Sequence, residues 1–372
     1  MTETHAVTET RVPPPVALPT VIVTSVIRST SQGQSHGGVY LIDLTTGTSE
    51  LVLDWHTSDI DWEGRGGDRG LRGITFHDDC VYLAASDEIL MYDPSFNRVG
   101  SFTNPYLKHC HEIDVDGDSL YVTSTGFDSV LRYDLSAHRF VDGFLVRYQG
   151  LQRAWQKALR KTGSSRLADL VPPKPTLRWF DPNQPDGPAA FDTCHLNSVT
   201  ASAGHVFVAG RKLPWLYEIV DGRLSTYATV ALETHNTRPF RDGVLMNDTD
   251  ADAVRYATRD GDTHLSVPIA SYPDAELKNL HLAAGRARQA FGRGLTVHAD
   301  RYLITGSSPA TISVFDLVAR RLIKTVNLTM DVRNAVHGLE VWPFAPPHRV
   351  SEELRPGGTT ARTTTEADPR VP

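Results

Sequence analysis

Four histidines, His111, His195, His235 and His337, open segments of the same pattern and are the residues of this sequence best suited to chemistry. The segments read HEIDVDGDSLYVTSTG from His111, HLNSVTASAGHVFVAG from His195, HNTRPFRDGVLMNDTD from His235 and HGLEVWPF from His337. Two further segments, RGITFHDDCVYLAAS from Arg72 and RGLTVHADRYLITGSS from Arg293, carry arginine in the same slot. Histidine fills 15 of 372 positions, so chance seldom puts four in six aligned slots. Imidazoles that converge on one point are most simply gathered by a cation, and an all-histidine donor set suits a divalent transition metal, Zn or Fe first. The plainer alternative is that each imidazole hydrogen-bonds to backbone or water. Arg72 and Arg293 would hold the carboxylate, phosphate or enolate oxygen of a small-molecule substrate beside that metal and act as the catalytic pair. Alternatively, they pair with Glu112, Asp114 or Glu340. Asn197, Asn236, Arg238, Asn247 and Asp248 are candidate substrate contacts, or groups that orient the imidazoles.

Residues so far apart in sequence need a scaffold that returns the chain repeatedly to one axis. Each segment holds a short apolar strand, a polar turn, a Val/Tyr/Leu-rich strand and a third strand often ending in Tyr-Asp or Phe-Asp, a repeat of propeller length. Equivalent positions lie 39 residues apart from Arg72 to His111, 40 from His195 to His235 and 44 from Arg293 to His337. The last segment stops after one strand, and Thr20 to Ile27, Gly38 to Leu44 and Ser49 to Asp54 supply the rest of its blade. This predicts an all-β, six-bladed β-propeller closed by pairing of N- and C-terminal strands, which removes exposed edges. In such a ring the first strand of each blade lines the channel, so the six slots face one another. Two gaps are longer, 84 residues from His111 to His195 and 58 from His235 to Arg293. Helical insertions on one face are expected there, at about 145–190 (helix over Leu151 to Leu170) and 272–290 (helix over Pro273 to Ala290). A seventh blade is the alternative for the first. The propeller is read over 20–344, between a disordered segment at 1–19 and a disordered Pro/Thr/Arg-rich tail at 345–372.

Composition narrows the partners. A chain that is 40% hydrophobic and 22% charged can bury a large core, and a formal charge of −7 provides no basic footprint for nucleic acid. Three cysteines, Cys80, Cys110 and Cys194, point away from a disulfide framework and toward a reducing compartment, with cytoplasm as the default. The N-terminus lacks a signal-peptide pattern, and no run of about 18 apolar residues is present to span a membrane. Other motifs are better explained by structure. Asp114-Val-Asp116-Gly-Asp118 resembles a calcium loop, yet its counterparts in other repeats mark it as a hairpin turn. Gly64 to Gly70 is glycine-rich without the Lys-Ser/Thr ending of a phosphate loop. Cys110 and Cys194 precede ring histidines but read as buried small hydrophobes.

Cys194-His-Leu-Asn-Ser198, with RGLTVHADRYLITGSSPATISVFDL and VHGLEVWP, resembles a bacterial family of uncharacterised propeller proteins marked by Cys-His-Leu-Asn-Gly. The resemblance covers Arg72 to Pro343. It departs at Ser198, where that family has glycine, and at His235-Asn-Thr-Arg238. It implies a fold and no reaction. More distantly the arrangement is similar to six-bladed amidating lyases, which hold zinc with three inner-strand histidines, and to seven-bladed carotenoid oxygenases, which hold iron with four. That likeness implies His111, His195, His235 and His337 as ligands. The leading expectation is thus a metal-dependent lyase, isomerase or cyclase acting on a small polar metabolite. An Fe(II)-dependent oxygenase and a non-catalytic, partner-binding propeller are its rivals.

Overall fold

The computed structural model describes residues 16–31, 33–56, 70–148, 175–282 and 287–345. The termini, Leu151 to Leu170 and most of the glycine-rich loop before Gly70 lie outside them, so the expectations placed there concern residues that are not described.

Short strands of β-branched and aromatic residues, separated by Asp, Asn and Gly turns, pair antiparallel with their sequence neighbours into six small sheets. These sheets are the blades. Blade 1 joins the C-terminal strand Asn334–Val341, innermost, to Thr20–Ile27, Gly38–Asp43 and Ser49–Asp54. Blades 2 to 6 begin with the inner strands Ile74–His77, Ile113–Asp116, Leu196–Ser202, Thr234–Phe240 and Leu295–His298. The expected ring and its closure are both present, with Val21 opposite Val341 and Ile27 opposite Asn334 across the closing pair.

Blade 3 differs from the expected repeat. Arg139–Arg147 is its fourth strand and Thr176–Phe180 adds a fifth, so strand overlaps the expected insertion at about 145–190 on either side of residues that are not described. The helix expected over Pro273 to Ala290 is corrected. Among the described residues of Pro273 to Ala290 the only helical turn is the three-residue Asp274–Glu276. Lys278 instead bridges Asp331 in parallel, and its N–H and C=O bond Met330 and Val332. Leu280, which the helical stripe would have buried, is 42% exposed, so no surface rewards a helix there.

The core is divided by blade interfaces. One cluster joins blades 6 and 1 through Ile304, Ile312, Val21 and Val336, and another joins blades 3 and 4 through Val130, Phe144, Val199 and Val208. The inner strands are left to line the axis, where packing is polar.

Candidate metal and anion site

The ring residues stand at the start of the inner strands, where backbone irregularities aim them inward. Pairing slips between Leu196 and Ser198, between His235 and Arg238, and opposite Val336 to Leu339 in the closing strand. Such bulges re-aim side chains that strict alternation would turn away. His195 and Asn236 adopt left-handed φ of 55° and 51°. Close strand approach completes the wall: a Cβ at Gly338 would lie 2.2 Å from the Arg72 carbonyl oxygen, so only glycine fits that position.

His111, His195, His235, His337, Arg72 and Arg293 are all buried around one centre. The His111 ring centroid lies 5.4 Å from that of His195 and 6.0 Å from that of His337. Hydrogen bonds settle the tautomers. Thr125 spends its single proton on the Leu196 carbonyl, so it accepts from His111 Nδ1, as does the His109 carbonyl, at 2.9 Å each. His111 Nε2 is therefore a lone pair, and Arg72 Nη1 approaches it at 3.4 Å. His195 Nδ1 donates to the Asp192 carboxylate at 2.7 Å, which leaves its Nε2 lone pair for the channel. This imidazole–carboxylate arrangement recurs behind metal-bound histidines. His337 Nε2 accepts from Arg293 Nη1 at 3.3 Å, and neither nitrogen of the buried His235 has a hydrogen-bond partner among the described residues.

Electrostatics follow from burial and crowding. Burial, then Arg72 and the neighbouring imidazoles, hold His111 well below its ordinary pKa. Burial and Arg293 do the same at His235 and His337. His195 is lowered by burial against the opposing pull of Asp192. The ring is neutral imidazole at pH 7. Burial also raises Asp192, but the hydrogen bonds from His195 and Lys212 outweigh it and keep the carboxylate ionised. Arg293 is pushed well below the usual guanidinium range by burial and by Arg28, Arg72 and Arg211. Its guanidinium lies 4.9 Å from the Phe291 ring centroid, and Arg28 and Arg288 approach the same ring at 5.0 Å each. Among the described residues no carboxylate forms an ion pair with Arg293.

The remaining candidates are placed less uniformly. Asn197 donates to the Thr234 carbonyl. Asn236 donates to Glu112 and accepts from Asn247 and from the Gly294 N–H. Both join inner strands. Asn247 and Asp248 end the strand Gly243–Asp248, and Asp248 pairs with Arg255 at 2.9 Å. Arg238 lies one layer further along the channel, paired with Glu340 at 3.0 Å. Burial pushes the Cys110 and Cys194 thiols up to about 12, which fits small hydrophobes. Sequence reasoning missed Thr125, Asp192 and Phe291. Asp192, three residues before His195, was the one with a readable signal. Among the described residues no group of three or more His, Cys, Asp or Glu side chains is drawn together closely enough to hold a metal ion.

No protein-family profile and no curated protein matches the chain. Solved structures share its fold at low identity. A protein of unknown function from Bacteroides caccae is 8% identical with a TM-score of 0.52, over 86% of this chain and 98% of that one. A nidogen/laminin complex is similar at 10% identity and a TM-score of 0.50, over 86% and 97%. Virginiamycin B lyase from Staphylococcus aureus is 12% identical over 68% and 69%, and its TM-score of 0.39 is too low to bear on the reaction. These likenesses concern the fold alone. No described helix is long and apolar enough to cross a membrane.

Proposed function

We propose that the chain is an enzyme acting on a small anionic metabolite at the histidine ring, with chemistry of the lyase, isomerase or cyclase type. Arg293 is the observation that carries this reading: a guanidinium in a residue 8% exposed, beside His337 and Phe291, in an ion pair with no described carboxylate and with Glu112 acting on it only at longer range. A buried unpaired charge is strongly destabilising, on the order of 3–5 kcal/mol when a partner is removed. A substrate carboxylate, phosphate or enolate oxygen would supply the missing charge, and Arg72 faces the same centre. Negative charge that develops during reaction would meet donors already in place.

The same reading gives the ring a divalent transition metal, Zn or Fe, held by His111, His195, His235 and His337. The donor chemistry fits, because the Nδ1–H bonds at His111 and His195 reserve Nε2, and the two unpartnered nitrogens of His235 lack what a ligand would give. His195 and His235 offer lone pairs that no described donor takes. His111 and His337 would join them by releasing Arg72 and Arg293, which would leave both guanidiniums to the substrate. Such a metal supplies Lewis-acid polarisation of a substrate oxygen.

Elemental analysis of tag-free, chelator-free protein, with calorimetric titration of malonate and inorganic phosphate, tests both halves. About one equivalent of Zn or Fe per chain is expected, with saturable anion binding weakened at least ten-fold in Arg293→Gln. Iron with oxygen-dependent turnover would shift the assignment to an oxygenase. Absence of both metal and anion binding would leave a non-catalytic, partner-binding propeller. Anion binding without metal would retain the charge assignment and remove the metal.

A further inference from the structure

A second layer of the channel lies below the ring. Thr75, Asp114, Arg238, Thr296 and Glu340 each follow a ring residue by three positions, and Thr200 takes the sixth place beyond the bulge in its strand. All six line one cavity of about 340 Å³, collared by apolar strand ends such as Phe76 and Val341. Around the axis, charged residues on blades 1, 3 and 5 alternate with threonines on blades 2, 4 and 6.

The charges in this layer do not balance. Glu340 accepts from Arg238 Nη2 at 3.0 Å and from the Thr296 hydroxyl at 2.9 Å. Asp114 accepts from the Ala201 N–H at 2.8 Å and lies within the field of the same guanidinium. Two carboxylates therefore share one cation, with Glu112 close above them. Independently, Thr75 is only 7% exposed and lines the cavity, and no described residue hydrogen-bonds its side chain. A polar side chain that lines a roomy polar cavity with no protein partner is satisfied by a ligand or water.

We infer that this lower layer is a second binding site, distinct from the histidine ring, for a small organic cation: a primary ammonium group on a short alkyl stem. The ammonium offers three N–H donors, which match the carboxylates of Asp114 and Glu340 and the hydroxyl of Thr75. The alkyl stem fits the apolar collar. A bare divalent metal fits less well, because Arg238 stands among its would-be oxygen ligands.

Calorimetric titration of the full-length protein at pH 7.5 with n-butylammonium, 1,4-diaminobutane, calcium and butyrate tests this. Saturable binding of butylammonium is expected, weakened at least ten-fold in Asp114→Asn and in Glu340→Gln and about three-fold in Thr75→Val, with no binding of butyrate. Thr75→Val removes one hydroxyl at nearly constant volume, so it still reads the site if a carboxylate variant fails to fold. Failure of both ammonium probes to bind, affinity unchanged across all the folded variants, or binding of calcium in their place would overturn the inference. Arg293→Gln, which tests the ring, is expected to leave butylammonium binding unchanged, so failure of one site is separable from failure of the other.

Discussion

At the scale of single residues the axis sorts its ionisable groups by what each can share. Burial, and then neighbouring positive charge, keeps the imidazoles of the upper layer neutral, whereas in the lower layer burial favours the protonated form of a carboxyl group. Burial, reinforced by Glu340 and opposed by the Ala201 N–H and Arg238, pushes Asp114 up to about 6. In the unfolded chain it titrates near about 3.9. Between those values the folded state holds a proton that the unfolded state has released, so stability falls as pH rises from about 4 to about 6 and does not recover above. Replacing the carboxyl by an amide removes the titration. In urea unfolding, wild type is expected to lose roughly 2 kcal/mol relative to Asp114→Asn between pH 4 and pH 6.5. A difference that does not vary with pH would contradict the protonation assigned here.

The inner strand is the element that makes the site, and most of it was legible. Histidine and arginine recur at one phase of the repeat, and a propeller turns equal phase into convergence. Irregular backbone hid the rest. The bulges that aim His195 and His235 leave no pattern in a single sequence, and Thr125 and Asp192 reach the ring from connecting segments whose path the repeat does not fix. Arg238 is close to His235 in sequence, but three residues along a strand is one layer down the channel, which takes it from the ring to the layer of Glu340. The stretch after Pro273 failed for a different reason: apolar residues at helical spacing make a helix only where a surface buries them, and Lys278 is instead drawn into a bridge with Asp331. Close strand approach can be tested at Gly338, whose Cβ would meet the Arg72 carbonyl at 2.2 Å and the Thr24 hydroxyl at 2.8 Å. Gly338→Val is expected to cost about 1–3 kcal/mol in denaturant unfolding and to separate blades 1 and 2 at the ring. Full stability in that variant would show that the strands can part freely.

For the whole molecule, closure distributes stability around the ring. Val336 is fully buried in the cluster that joins blades 6 and 1. Val336→Asp would put an unpaired charge into that joint, where desolvation costs several kcal/mol. Limited proteolysis is expected to cut this variant near the closing strands well before it attacks blades 3 and 4. Uniform cleavage would mean that the ring opens as one unit, with no seam at blade 1.

The seam also sets the order in which the protein becomes competent. During synthesis Arg72, His111, His195, His235 and Arg293 emerge in turn, while the strands Thr20–Ile27, Gly38–Asp43 and Ser49–Asp54 wait without their innermost neighbour. His337 arrives only on the strand that shuts the circle. A nascent chain released before Asn334 would carry three of the four ring histidines and lack the strand that closes the circle, so the proposed ligand binding at the ring would report that translation has reached its closing strand.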